Sequence, residues 1–479
     1  MNGLATIEQP PLRVFDAWQH QLEAYQFADP RRWTMLAMDM GTGKSKTTID
    51  LAANSDARKI LVLAPKSVLA VWRREFARHW PAAAGEIEVL ILDKGTVAKN
   101  AQRVATFLSL PSTRRRIVVI NYESAWRNPM GPLLESIGFD LVVSDESHRI
   151  KAPGGKASWH MKRLGANCGR RLCLTGTPMG HSPLDLYGQF RFLDPRVFGT
   201  SFVRFRARYA IMHQTFRSKV LAWQNLSELK AIFHSHSYVC SADDVLDLPP
   251  LHHIRRDFVL SPAAARVYND LERQLVAEVN GTAIIVPNAL VKLLRLQQVT
   301  SGFVSYRDDA EETVATELAR DKADLLRDVL GDLAIRDETD PEKHRPVVVF
   351  ARFTHDLTAI RGVVESLGLR YGELSANRRD AIDDHACMAP DVDVAGVQIQ
   401  SGGVGIDLTR ASLGVYYSIG FSLTDYLQSL KRLHRPGQER PTRFIHLVAR
   451  STVDEAVHVA LDRKLDLVES VLQTLKGKK

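Results

Sequence analysis

Cysteine is scarce in this chain, with only Cys168, Cys173, Cys240 and Cys387 among 479 residues. They form no paired framework, which argues against a disulfide scaffold and for a reducing compartment. His234, His236, His252 and His253 do not match them in spacing, so the Cys/His pairs of a zinc module are missing as well. No apolar run approaches membrane-spanning length, and the opening stretch MNGLATIEQPPLRVF lacks the basic-then-apolar order of a secretory signal. Internal repeats and low-complexity tracts are also absent. These absences lead us to expect a soluble, cytoplasmic protein without a membrane partner.

In bulk the chain is ordinary. Its length allows two or three domains with full cores. A formal net charge of +8 leaves room for a polyanionic partner without requiring one.

Short apolar runs carry more information. MLAM, KILVLA, RIVVI, DLVVSD and RLCLTG in the first half are nearly continuous in apolar character, as buried parallel strands are. Helical patterns such as VWRREFARHW lie between them. The second half repeats the rhythm with PVVVFA, YGELS, VAGVQIQ, GVYYSIG and RFIHLV. This alternation predicts an α/β protein with two parallel-sheet lobes. From about Arg196 to Asp340 strand signals thin and helical ones dominate, as in SPAAARVYNDLERQLVAEV and PNALVKLLRLQQV. The Pro pair in DDVLDLPPLHH sets a boundary. The expected lobes are 1–248, with a helical protrusion at about 196–245, and 249–479, with another at about 261–340.

The stretch MDMGTGKS follows a strand and opens a helix, as a phosphate-binding loop must. Gly41 and Gly43 let backbone N–H groups turn toward phosphates, and the helix N-terminus adds its dipole. Lys44 would pair with the β- and γ-phosphates of ATP, and the Ser45 hydroxyl would ligate Mg2+. The strict pattern wants glycine where Met38 stands, and a Gly-rich turn before an ordinary helix is the plainer alternative. LVVSDESH places Asp145 and Glu146 immediately after a buried strand. There Asp145 is suited to magnesium, and Glu146 to orient or deprotonate an attacking water. The plainer alternative is an acidic turn capping a helix. In YLQSLKRLHRPGQ, Gln428, Arg432 and Arg435 share one helical face. Such arginines, far along the chain from the phosphate loop, suggest fingers that stabilise transferred charge when two lobes close; a solvated basic face is the alternative.

Taken in order, these stretches resemble the SWI/SNF-type DNA-dependent ATPases of helicase superfamily 2. WQHQLEA is similar to the family's glutamine motif and DMGTGKS to its phosphate loop. LVLAPKSVLAVWRREF resembles motif Ia, VVINYES motif Ib and DESH motif II. LTGTPMGHSPLDLYGQFRFLDP resembles motif III, VVVFARF motif IV, QSGGVGIDLT motif V and QSLKRLHRPGQ motif VI. The resemblance implies two RecA-like lobes with helical insertions between them. It implies adenine reading by Gln21 and nucleotide contacts by Gly41, Thr42, Gly43, Lys44, Ser45, Asp145 and Gly405. Catalytic roles fall to Lys44, Glu146, Arg432 and Arg435, and Mg2+ to Ser45 and Asp145. DNA contacts would come from Lys66, Ser67, Asn121, Tyr122, Gly402 and Gly403.

The implied function is ATP-driven translocation along double-stranded or branched DNA, by a chain expected to act as a monomer. An ATP-gated DNA clamp with slow hydrolysis, inside a larger complex, is the rival. Ser147 stands where alanine is commoner in motif II, and Asp407 where asparagine is common in motif V. DESH and SPLDLY lean toward relatives that remodel branched DNA. Because the motifs consume most of the chain, a compact stand-alone motor of bacterial or phage type is expected. FVRFRARYAIMHQTFRSK, with Arg204, Arg206, Arg208, Arg217 and Lys219, reads equally as a DNA-facing protrusion or as a basic segment packed on its own lobe.

Overall fold

The computed structural model describes residues 17–472, apart from 81–82, 215–219, 275, 280–281, 286–288, 308–312, 334, 336–344, 384–385 and 401–405. The chain divides into two compact units, first between Leu246 and Asp247 and again between Asp466 and Leu467.

The strands of the first unit are β1 (Trp33–Met38), β2 (Lys59–Ala64), β3 (Ile87–Ile91), β4 (Arg115–Asn121), β5 (Leu141–Asp145), β6 (Arg170–Leu174), β7 (Ala210–Met212), β8 (Val220–Trp223) and β9 (Ser237–Cys240). Seven of them form a sheet in the order β3-β4-β2-β5-β6-β1-β9, with every pairing parallel. Its inner strands are buried almost end to end, which is why their sequences are apolar runs rather than alternations. β7 and β8 form a separate antiparallel hairpin.

The stretch expected to be a helical protrusion is mixed. Helices Phe202–Tyr209 and Leu226–His236 are present, but so are this hairpin and β9. β9 belongs to the sheet itself, pairing with β1 from Met35 opposite Ser237 to Met38 opposite Cys240. SYVC is a four-residue, half-buried edge strand and carries no apolar run to announce it.

The second unit contains β10 (Leu251–Phe258), β11 (Val276–Val279), β12 (Thr282–Ile285), β13 (Phe303–Arg307), β14 (Thr313–Glu317), β15 (Val347–Ala351), β16 (Tyr371–Leu374), β17 (Val394–Gln398), β18 (Leu413–Tyr416) and β19 (Thr442–Ala449). Its main sheet runs β10-β19-β18-β15-β17-β16 and is also all parallel. Alternate residues of β15 feed two cores. Val347, Val349 and Ala351 pack with Leu357, Ile360 and Val364, while Val348 and Phe350 pack with Leu430, Leu433 and Phe444. The sheet is therefore covered on both faces, the condition that makes VVVFA continuous in apolar character. β10 lies at the edge and is mostly exposed, so its sequence LHHIRRDF reads as a polar linker. The region 261–340 holds helices Pro262–Gln274, Ala289–Thr300 and Asp321–Gly331, together with two antiparallel hairpins.

Candidate nucleotide and nucleic-acid site

In the first unit, the carboxyl ends of the parallel strands gather the chemistry, as open α/β sheets do. The loop after β1 leads into helix Lys44–Ala53, whose N-cap, Gly43, offers no side-chain cap, so the first-turn N–H groups face outward for an anion. Gly41 and Gly43 have φ of 84° and 91°, which only glycine adopts without strain. A Cβ on Gly43 would also lie 2.2 Å from Gln21 Nε2. Lys44 Nζ curls back to donate to the carbonyls of Met38 (2.8 Å) and Asp39 (3.0 Å). Ser45, half-buried, occupies the second helical position.

Two side chains brace this loop from helix Gln19–Ala28. Gln21 donates to the Thr42 carbonyl at 3.1 Å and accepts from the Trp18 N–H at 3.1 Å. His20 Nε2 lies 2.8 Å from the same carbonyl. The Gln21 amide, expected at adenine, is engaged by the loop. Thr42 is fully buried beneath it.

β5 delivers Asp145 and Glu146, 7% and 3% exposed. Trp72 donates its indole N–H to Asp145 Oδ2 at 3.0 Å, and the Glu146 N–H meets Oδ1 at 3.0 Å. Burial and the adjacent Glu146 charge push the Asp145 carboxyl up to about 7, and the Lys44 charge pulls against them. Lys44 and Asp145 thus share one electrostatic field, although Lys44 opens the helix after β1 and Asp145 ends β5. Glu146 holds φ of 49°, in the left-handed region that costs a non-glycine residue about 1 kcal/mol or more. His148 Nδ1 stands 3.3 Å from Glu146 Oε2.

Two buried, mutually repelling carboxylates beside a phosphate loop suit a divalent cation, which offsets both burial and repulsion. Among the described residues no three His, Cys, Asp or Glu side chains converge as a metal-binding group. Magnesium here would therefore share its coordination with nucleotide oxygens, the usual arrangement for this ion.

Lys66 and Ser67 are exposed at the carboxyl end of β2. Tyr122 is turned into the unit. Its ring is 3% exposed, and its hydroxyl donates to the Asp145 carbonyl at 2.6 Å beside Ser144 Oγ. It supports the carboxylate turn from inside the unit. The Asn121 side chain is also turned in, donating to Glu123 at 2.9 Å.

In the second unit, Arg432 and Arg435 converge on one acceptor, the Ile406 carbonyl, at 3.4 and 3.3 Å. Helix Leu423–Leu433 carries Arg432, and Ser422 caps its start. Gln438 donates to the carbonyls of Thr409, Ala411 and Leu433, tying the segment after Ile406 to the end of that helix. Asp407 accepts from the N–H and hydroxyl of Thr409, closing its own turn. Gly402, Gly403 and Gly405 lie outside the described residues, as do Arg217 and Lys219. Arg208 pairs with Glu228 at 2.8 Å, while Arg204 is exposed and Arg206 lies over the Phe202 ring.

Trp72, His20 and Gln438 were not read as site-bearing in the sequence. Only their partners in space reveal them.

Comparison with known proteins follows this geometry. The family profile described as SNF2-related domain matches residues 18–302. ATP-dependent helicase fft1 of Schizosaccharomyces pombe is 24% identical over 91% of this chain, which spans 50% of that protein. DNA annealing helicase and endonuclease ZRANB3 of Mus musculus is 24% identical over 93% of this chain and 39% of its own length. Putative protein p41 of Acyrthosiphon pisum secondary endosymbiont phage 1 is 26% identical over 92% of this chain and 94% of its own. The chain therefore spans half or less of the first two relatives and nearly all of the phage protein. Among solved structures, the Sulfolobus solfataricus SWI2/SNF2 ATPase core in complex with dsDNA aligns over 97% of this chain and 94% of that one, with 20% identity and a TM-score of 0.44.

Proposed function

The chain belongs to the SNF2-related family and carries its helicase-like ATPase domain, and from this premise we propose that it is a motor coupling ATP hydrolysis to movement along double-stranded DNA. The observation that carries the reading is the pairing of the Lys44 loop with the buried Asp145–Glu146 turn in one electrostatic field.

In this reading Lys44 and the first-turn N–H groups hold the phosphates, and Glu146 orients and deprotonates the attacking water. Ser45 and Asp145 hold magnesium, which when bound would neutralise charge on the β- and γ-phosphates. Arg432 and Arg435 act as the arginine fingers of the hydrolysis step. Exposed Lys66 and Ser67 supply phosphate contacts that position DNA without reading its sequence. The name of ZRANB3, a DNA annealing helicase, supports DNA as the polymer acted on, and we take duplex or branched DNA as the substrate. We take the motor to work as a monomer.

The test is ATP turnover with duplex, single-stranded and forked DNA, and with RNA. Strong stimulation by duplex or forked DNA and little by RNA is expected. Equal stimulation by RNA would sink the DNA-motor reading, and turnover that stays slow on every DNA while DNA binds tightly would favour the clamp.

A further inference from the structure

Glu146 sits in a backbone conformation that its own chemistry does not favour, so something must hold it there. Its carbonyl accepts from the Arg149 N–H at 3.0 Å, which closes a tight turn over residues 146–149. That turn needs an anchor outside itself, and Ser147 provides one. The Ser147 hydroxyl, fully buried, donates to Gln189 Oε1 at 2.7 Å. Gln189 is fully buried too, and its Nε2 donates to the Pro178 carbonyl at 2.7 Å and the Asp185 carbonyl at 3.0 Å. One amide thus grips the carboxylate turn with its oxygen and the Thr175–Pro178 loop with its nitrogen.

The backbone is shaped for this grip. Gln189 rides on helix Leu186–Leu193, and a Cβ on the neighbouring Gly188 would lie 2.2 Å from the Ile150 carbonyl and 2.6 Å from that of Lys151. Glycine therefore lets the helix seat directly against the end of the turn. A second tie runs parallel. Asp185 accepts from the His181 N–H at 2.8 Å and lies 3.8 Å from Lys151 Nζ. The loop so held also reaches the phosphate loop, because a Cβ on Gly176 would come within 3.3 Å of the Met38 carbonyl and 3.4 Å of Asp39 Cα.

We propose that Ser147 and Gln189 are positioning residues for hydrolysis, locking the Glu146 turn, the Thr175–Pro178 loop and, through it, the phosphate loop into one rigid unit. This rests on the ATPase reading and adds which side chains set the placement of the Glu146 carboxylate. It also gives Ser147 a use: a methyl side chain at that position could not reach Gln189.

Single-turnover hydrolysis by the full chain, at saturating ATP with and without duplex DNA, tests it alongside nucleotide affinity and thermal melting. Ser147→Ala should lower the single-turnover rate roughly tenfold while nucleotide affinity stays within about twofold, because only the placement of Glu146 is loosened. Gly188→Ala should act in the same direction by lifting the helix. Ser147→Ala combined with Gln189→Met should lose little more than Gln189→Met loses alone, since the Ser147 hydroxyl acts through that amide. Ser147→Cys, with a weaker donor of similar size, should recover part of the rate and serves if Ser147→Ala fails to fold. A folded Ser147→Ala with the wild-type rate would overturn the proposal. So would equal losses in rate and affinity, or strictly additive losses in the double variant. If instead the wild-type rate ignores DNA, the motor reading fails, while the variant-to-wild-type ratio without DNA still decides this one.

Discussion

At Trp72 the indole N–H donates to the Asp145 carboxylate, and at Tyr122 a buried hydroxyl holds the same residue by its carbonyl. Neither side chain is charged at neutral pH, yet both help decide where a carboxylate stands. Trp72→Phe keeps the bulk and removes the donor, so the fold should persist while hydrolysis falls roughly tenfold, a change read by steady-state turnover beside a melting curve. Glu146→Gln should keep nucleotide binding and stop turnover, whereas Lys44→Ala should weaken binding itself. Titration with a fluorescent nucleotide separates the two, and near-normal turnover in Glu146→Gln would remove its assigned role. The phosphate loop and the DESH turn were legible because their chemistry is written in consecutive letters. The contacts of His20, Trp72 and Ser147 were not, since their partners lie 22, 73 and 42 positions away, and no local pattern records a contact at that range.

Among the elements, the central parallel strands could be read in advance because burial on both faces forces continuous apolar runs. Three of the four edge strands of the main sheets could not: β3, β9 and β10 are half-buried or exposed and so carry mixed sequences, whereas the edge strand β16 is largely buried and was legible as YGELS. In the basic run at Arg114–Arg116, Arg115 caps the far end of the phosphate-loop helix through the Ala52 and Ala53 carbonyls, and Arg116 meets Glu88. In the second unit, Arg435→Ala should cut DNA-stimulated hydrolysis by about 10³-fold or more while ATP and DNA still bind. Single-turnover measurement at saturating duplex DNA checks this, and a near-wild-type rate would put the finger elsewhere. β10 and β19 also bring His253 Nδ1 to 3.1 Å from His446 Nε2, with the His458 ring 5.0 Å away. Tyr416, Tyr426, Asp454, Asp462, Arg255 and Lys322 surround the group. Burial lowers all three histidines, and His446 falls well below its ordinary value. Below roughly pH 6.5 the unfolded chain therefore binds protons that the folded unit refuses, and stability falls as pH falls. Asp356, raised by burial to about 6, works the other way, since its folded form takes up a proton before the unfolded form does. His446→Phe should make the loss of melting temperature between about pH 7 and 5 shallower than in the wild type; an unchanged slope would clear the cluster of that role.

For the whole molecule, the proposed motor function together with the positive formal charge predicts a DNA affinity that is mainly a phosphate effect. Its logarithm should fall steeply with the logarithm of salt concentration. Reversing Arg204 and Arg206 to glutamate should flatten that slope, by about 0.9 for each phosphate contact removed. Arg208 should contribute less because Glu228 already holds it. A slope unchanged by the reversal would assign that segment to the surface of its own unit. The two-sheet plan was legible from the repeated rhythm of apolar runs, whereas the ninth strand was hidden because it follows a long excursion from the sheet it completes. That excursion has a consequence for synthesis. β9 pairs with β1, the Asp39 N–H donates to the Cys240 carbonyl, and the Ala242 N–H donates to Asp39 Oδ2. Asp39 and Ala242 are 203 positions apart, a gap a ribosome crosses in on the order of 10–40 s at about 5–20 residues per second. Throughout that interval the nascent strand that leads into the phosphate loop has an open edge, exposed to unwanted pairing. The newborn chain cannot complete its nucleotide cradle until the ribosome has passed Ala242.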